Sequence, residues 1–197
     1  QEAAKRAGIS RCFAQMLESR EEVTEMLRED TLIDLIIPRG SNAFVQYIKD
    51  HSRIPVLGHA DGICHVYVDE DADLDKAYDI CLDSKVQNVS VCNAMETLLV
   101  HASVAPAFLP EMARRFRESD VRLLGDESVQ RLIACEKATE EDWHTEYLDR
   151  VLSIRVVQDL RQAIDHINHY GSHHTDCIVT NDAAAAQQGL AVRHRGE

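Results

Sequence analysis

Short β-branched runs alternate with amphipathic segments along most of this chain, and that alternation limits the fold more than any other feature. Ser19 and Glu22 have capping-box spacing ahead of an apolar stripe at Val23, Met26 and Leu27, which predicts a helix of about ten residues. Ile33 to Ile37 reads as a strand, stopped by Pro38 and turned by Arg39-Gly40-Ser41 before Phe44, Val45 and Ile48 recur at helical spacing. Ile54 to Leu57 and Ile63 to Val68 read as strands, and Asp71 is expected to cap a helix carrying Leu74, Ala77, Tyr78 and Cys81 on one side. Thr97 to Val100 is strand-like. A long amphipathic helix through Val104, Phe108, Leu109, Met112 and Phe116 follows, then strands at Val121 to Leu124 and Val151 to Val157. Leu160 to Ile167 reads as a helix with Gly171 at its C-cap, and Asp176 to Val179 as the last strand. Strands separated by helices predict an α/β fold with a largely parallel sheet, and ligands are expected at the carboxyl ends of its strands.

At 197 residues the chain can bury about 70% of its unfolded surface, enough for a sizeable core. Asp plus Glu number 34 against 21 Lys plus Arg, a net charge of -13. Phosphate backbones and anionic lipid would repel such a surface, so neither nucleic acid nor membrane is an expected partner. No apolar run approaches the roughly 18 residues of a transmembrane helix. Gln1 to Gly8 lacks a signal-peptide layout, which makes a cytoplasmic location the expectation. The six cysteines are irregularly spaced without a CxxC pair, as reduced thiols would be. The alanine run from Ala183 and the basic stretch from Arg193 differ from the rest and read as a frayed or altered terminus.

Three places offer chemistry. Cys92 sits in a polar loop ahead of an apolar strand, where a thiol is accessible and can meet backbone amides that favour thiolate; its alternative is a small buried hydrophobe. Arg39-Gly40-Ser41 lies between strand and helix, where backbone approaches an anion closely, or simply turns. His166, His169, His173 and His174 form a cluster in which His166 and His169 share a helix face. No acidic or cysteine ligand falls at a strong zinc spacing, so the expectation is a hydrogen-bonding polar loop and no metal.

Five ordered blocks carry a family resemblance. They are IDLIIPRGS (Ile33 to Ser41), IPVLGHADGICHVYVDEDADLDKA (Ile54 to Ala77), CNAMETLLVH (Cys92 to His101), EDWHTEYLDRVLSIRVV (Glu141 to Val157) and AIDHINHYGSHHTDCIVT (Ala163 to Thr180). Over about three quarters of its length the chain resembles the γ-glutamyl phosphate reductases, or glutamate-5-semialdehyde dehydrogenases, of the aldehyde dehydrogenase superfamily.

The resemblance implies an aldehyde-dehydrogenase-like catalytic domain over residues 61–180, with a largely parallel sheet flanked by helices. Residues 1–60 would be the last part of a dinucleotide-binding domain, and 181–197 a divergent or truncated tail. It implies NADP(H)-dependent reduction of L-glutamyl 5-phosphate to L-glutamate 5-semialdehyde in proline biosynthesis, with phosphate released and Cys92 as the nucleophile. Glu146 falls where related dehydrogenases hold the nicotinamide-ribose hydroxyls, and Gly40 and Ser41 fall at the pyrophosphate loop, with Arg39 adding a charged contact. Asn93, His173, His174 and Thr175 are the expected substrate contacts. The oxidising relatives carry a water-activating glutamate roughly where this chain has His59, and its lack suits a thioester meant for hydride or phosphate. A homo-oligomer and a functional link to glutamate 5-kinase are expected of the intact family. Both ends read as cut, so the competing expectation is an inactive fragment that serves only as a binding or subunit-interaction module. A His-rich metal-binding protein and a cysteine hydrolase using His101 are the remaining alternatives.

Overall fold

The computed structural model describes residues 5–8, 14, 16–17, 19–40, 42–58 and 61–192. They fall into two compact units, residues 1–60 and 61–197.

In the first unit, Ser19 opens helix α1 (Arg20–Met26) with the expected reciprocal cap: its hydroxyl accepts from the Glu22 amide at 3.2 Å, and its own amide donates to the Glu22 carboxylate at 3.0 Å. Helix α2 (Asn42–His51) follows, and Leu27, Ile36, Ile48 and Ile54 form a small core. The two runs read as strands, 33–37 and 54–57, meet only in one parallel bridge between Ile36 and Val56. Pro38 and Pro55 bring no N–H to a ladder, which keeps the pairing from extending.

The second unit alternates strand and helix: β1 (Cys64–Val68), α3 (Leu74–Val86), β2 (Met95–His101), α4 (Ala105–Glu118), β3 (Arg122–Gly125), α5 (Glu127–Gln130), β4 (Glu136–Lys137), α6 (Glu140–Trp143), β5 (Val151–Val157), α7 (Leu160–Tyr170), β6 (Asp176–Val179) and α8 (Ala183–Val192). All six strands are parallel, in the order β4-β3-β5-β2-β1-β6. The central strands β1 and β2 are buried along their whole length, as strands covered on both faces must be. Side-chain alternation sorts them: Val66, Val68, Leu98 and Val100 join Phe108, Leu109, Met112 and Phe116 of α4, whereas Tyr67 and Leu99 pack with Ala163 of α7 in a separate cluster.

Three local details depart from expectation. Asp73, not Asp71, caps α3, its carboxylate accepting from the Lys76 amide at 3.3 Å; the Asp71 carbonyl instead accepts from the Asn181 amide at 3.0 Å. Gly171 ends α7 with φ of -70°, so left-handed geometry is not its reason. A Cβ there would stand 2.6 Å from the Ile167 carbonyl oxygen, and it is this close approach that requires glycine. Ala183–Val192 is helical, with the Asp182 carboxylate accepting from the Ala184 amide at 2.7 Å.

Candidate active site

Cys92 and Asn93 lie just before β2, Glu146 before β5, and His173, His174 and Thr175 before β6. These residues therefore stand at the amino edge of the sheet, opposite to the carboxyl edge expected from doubly wound folds. Connection length is the cause. The loops entering these strands span 87–94, 144–150 and 171–175, whereas those leaving β2 and β5 are the tight turns 102–104 and 158–159.

Cys92 is exposed. Burial pushes the other thiols up: Cys64 to about 11, and Cys81 and Cys135 in the same direction. The Cys64 thiol donates to the Cys92 carbonyl at 3.3 Å and lies 3.9 Å from Nδ1 of His174, so the 171–175 loop reaches the Cys92 peptide through a protonated, buried neighbour. Gly62 completes the contact from the other side. A Cβ at position 62 would overlap the Cys92 carbonyl group and stand 2.8 Å from Oε1 of Glu146, so Gly62 lies wedged between the two.

A buried ion pair holds the same loops from beneath. Lys85 of α3 reaches Glu96 of β2 at 2.5 Å, with both side chains at 1% exposure or less. The second Glu96 oxygen accepts from the Leu148 amide at 3.2 Å. Desolvation pushes Glu96 up and Lys85 down, each opposed by the attraction of the other. Glu96, four residues after Cys92, thus anchors a residue two beyond Glu146. Sequence reading missed Gly62, Cys64, Lys85 and Glu96; the one local signal was a lone carboxylate inside the apolar run Met95 to Val100.

The other expected residues are distributed as follows. Asn93 and Thr175 line a cleft of ≈ 230 Å³ with Cys64, Asn88 and Cys177, and neither Cys92 nor Glu146 is on its lining. His173 is exposed with φ of 58°. Arg39 and Gly40 belong to the first unit; Gly40 has φ of 152° and borders an apolar groove formed with Val23, Phe44 and Tyr47. Ser41 and His59 lie outside the described residues. His166 is buried beneath Arg155, which donates to its Nδ1 at 2.9 Å, so it does not pair with His169 as their shared helix face suggested. His101 ends β2, roughly 20 Å along the strand from the Cys92 loop. That distance removes it as a base for the thiol.

The all-parallel α/β sheet thus presents at its amino edge an exposed cysteine whose backbone carbonyl and the Glu146 carboxylate both border Gly62. The chain matches the aldehyde dehydrogenase family over residues 1–131. It belongs to that family. It is 58% identical to γ-glutamyl phosphate reductase of Acetivibrio thermocellus, covering 96% of this chain and 44% of the relative. It is 55% identical to that of Methanococcoides burtonii, covering 94% and 42%. The crystal structure of γ-glutamyl phosphate reductase from Thermotoga maritima superposes with a TM-score of 0.93 at 36% identity, over 96% of this chain and 47% of that one. Glyceraldehyde-3-phosphate dehydrogenase from Methanocaldococcus jannaschii, determined with NADP, shares the fold at 18% identity and a TM-score of 0.73, over 99% of this chain and 52% of that one. The chain spans less than half the length of the curated relatives it matches. Among the described residues no helix is long and apolar enough to cross a membrane.

Proposed function

We propose that this chain carries the acyl-transfer centre of a γ-glutamyl phosphate reductase, which reduces L-glutamyl 5-phosphate to L-glutamate 5-semialdehyde in the cytoplasm as a step of proline biosynthesis. The observation that supports the reading is the exposed Cys92, whose backbone carbonyl borders Gly62 as the Glu146 carboxylate does, in a chain 58% identical to a protein of that name. The Cys92 thiolate attacks the C5 carbonyl carbon, the bond from that carbon to the phosphate oxygen breaks, and phosphate leaves with the electron pair. The acyl group is then held as a thioester on Cys92. NADPH, when bound, would supply the hydride that replaces sulfur on the acyl carbon, releasing the aldehyde and returning Cys92 as the thiolate.

The donor set suits that cofactor. Glu146 is a half-buried carboxylate able to accept from two ribose hydroxyls; within the first unit, the family resemblance assigns Arg39, Gly40 and Ser41 to the diphosphate, where Arg39 would add a charge-assisted contact. Asn93 and Thr175, on the cleft lining, and His174, 3.9 Å from the Cys64 thiol, would donate to substrate carboxylate or phosphate.

The test is phosphate-dependent reduction of NADP with glutamate semialdehyde, followed by absorbance. Turnover by the chain that is lost in Cys92→Ala supports the proposal; turnover kept in Cys92→Ala removes Cys92 from the chemistry. Glu146→Gln is expected chiefly to raise the NADP requirement. A folded chain that is silent throughout would favour the reading as a binding or subunit-interaction module.

A further inference from the structure

Outside this centre, the second unit brings His169 up to a pair of side chains far from it in sequence. Glu140 opens α6 and His144 caps it just past its end, four residues on, and His169 comes from the last turn of α7. One ligand atom from each lies within 4.8 Å of the others, and all three residues are exposed. Neither imidazole donates to or accepts from another described side chain.

The surroundings hold the three side chains in place. Trp143 is buried beneath α6, and the Thr139–Asp142 capping box fixes its first turn, with the Thr139 amide donating to Asp142 at 2.7 Å. Ala163, Ile164 and His166 root α7 in the unit. Between the two helices, the Tyr170 hydroxyl donates to Oε1 of Glu140 at 2.6 Å. The Tyr170 ring lies 4.8 Å from the His144 ring and 4.5 Å from the His169 ring, centroid to centroid. A carboxylate oriented by a hydroxyl donor beside two imidazoles steadied by an aromatic ring is the arrangement by which outer groups set metal ligands.

We propose that Glu140, His144 and His169 bind one divalent transition ion of the Zn²⁺ class, clamping α6 to α7. Two imidazole nitrogens and one carboxylate oxygen make a three-ligand zinc set with a fourth position for water. Ligand atoms on a tetrahedral ion with bonds of about 2.0–2.1 Å stand about 3.3 Å apart, a closure that exposed side chains make by small rotations. The nitrogen donors select Zn²⁺, Ni²⁺ or Co²⁺ over Mg²⁺ and Ca²⁺, which take oxygen. The clamp would also stiffen the segment that runs from α6 into Glu146.

The experiment uses the whole chain, stripped with chelator and desalted, and titrated with Co²⁺ and Zn²⁺ by absorbance and calorimetry. One equivalent is expected, with a Co²⁺ d–d spectrum that lacks a thiolate charge-transfer band, and Zn²⁺ raising Tm where Mg²⁺ does not. The double variant His144→Ala, His169→Ala should lose that equivalent while its metal-free Tm stays unchanged, as suits exposed positions. Tyr170→Phe, which keeps the ring and drops the hydroxyl, should weaken binding about tenfold. Binding unchanged in the double variant, a thiolate band placing the ion on a cysteine, or no Zn²⁺ uptake at submillimolar concentration would each overturn the site.

Discussion

Replacing Gly62 by alanine probes the centre with one added methyl group. The backbone at this position is open to any L residue, so the perturbation is purely one of space. The new Cβ would lie 2.8 Å from both the carbonyl carbon of Cys92 and Oε1 of Glu146, where ordinary contact begins at 3.4 Å. Glu146 can swing away, but the Cys92 carbonyl is backbone and must carry its residue with it. The displacement needed is about 0.6 Å at the carbon and, from 2.1 Å, about 1.3 Å at the carbonyl oxygen, and a misplacement of that size costs on the order of 100-fold in rate. Overpacking of this kind destabilises by about 1–3 kcal/mol, a Tm fall of about 2–10 °C for a chain of this length. Thermal unfolding followed by circular dichroism reads the first effect, and NADP reduction with glutamate semialdehyde the second. A Gly62→Ala variant with unchanged Tm and turnover within twofold of the parent would refute the idea that Gly62 sets the position of Cys92.

Lys85→Met should destabilise by about 3–5 kcal/mol in denaturant unfolding, because it strands the Glu96 carboxylate, whereas Lys85→Met with Glu96→Leu should recover most of the loss; equal damage from both would show that the ion pair is not the cause. His166 is held neutral by burial, with its pKa pushed down to about 2. An unfolded histidine near 6.5 binds a proton that the folded one refuses, so stability is fully present above about pH 6.5 and declines below it. From this group the loss should reach about 2 kcal/mol by pH 5, and it should vanish from the pH profile of His166→Gln; an unchanged profile would place the acid sensitivity elsewhere.

Much of the architecture was legible one residue at a time. The β-branched runs became β1, β2, β3, β5 and β6, and the apolar stripes became α3, α4 and α7, because periodicity is a local property that burial on a defined face only selects. The Ser19–Glu22 cap was equally local. The runs at 33–37 and 54–57 had strand composition but pairing that two prolines cut short. Asp73, two residues nearer α3, takes the capping role expected of Asp71, its carboxylate accepting from the Lys76 amide, while the Asp71 carbonyl accepts from the distant Asn181 amide.

The cysteine loop could be picked out by its polar flank and apolar strand, but its surroundings could not. Gly62 packs on the Cys92 carbonyl and the Glu146 carboxylate, and the Lys85–Glu96 pair ties α3 and β2 to the 144–150 loop; the order of parallel strands that brings these segments to one edge is nonlocal by construction. The same holds for Glu140, His144 and His169, whose kinship depends on α6 and α7 lying side by side. The sequence by itself determined the alternation of strand and helix and the reactive residue types. Only the tertiary structure decided which edge of the sheet those residues share, because that depends on strand order and loop length, and no stretch of local sequence encodes either.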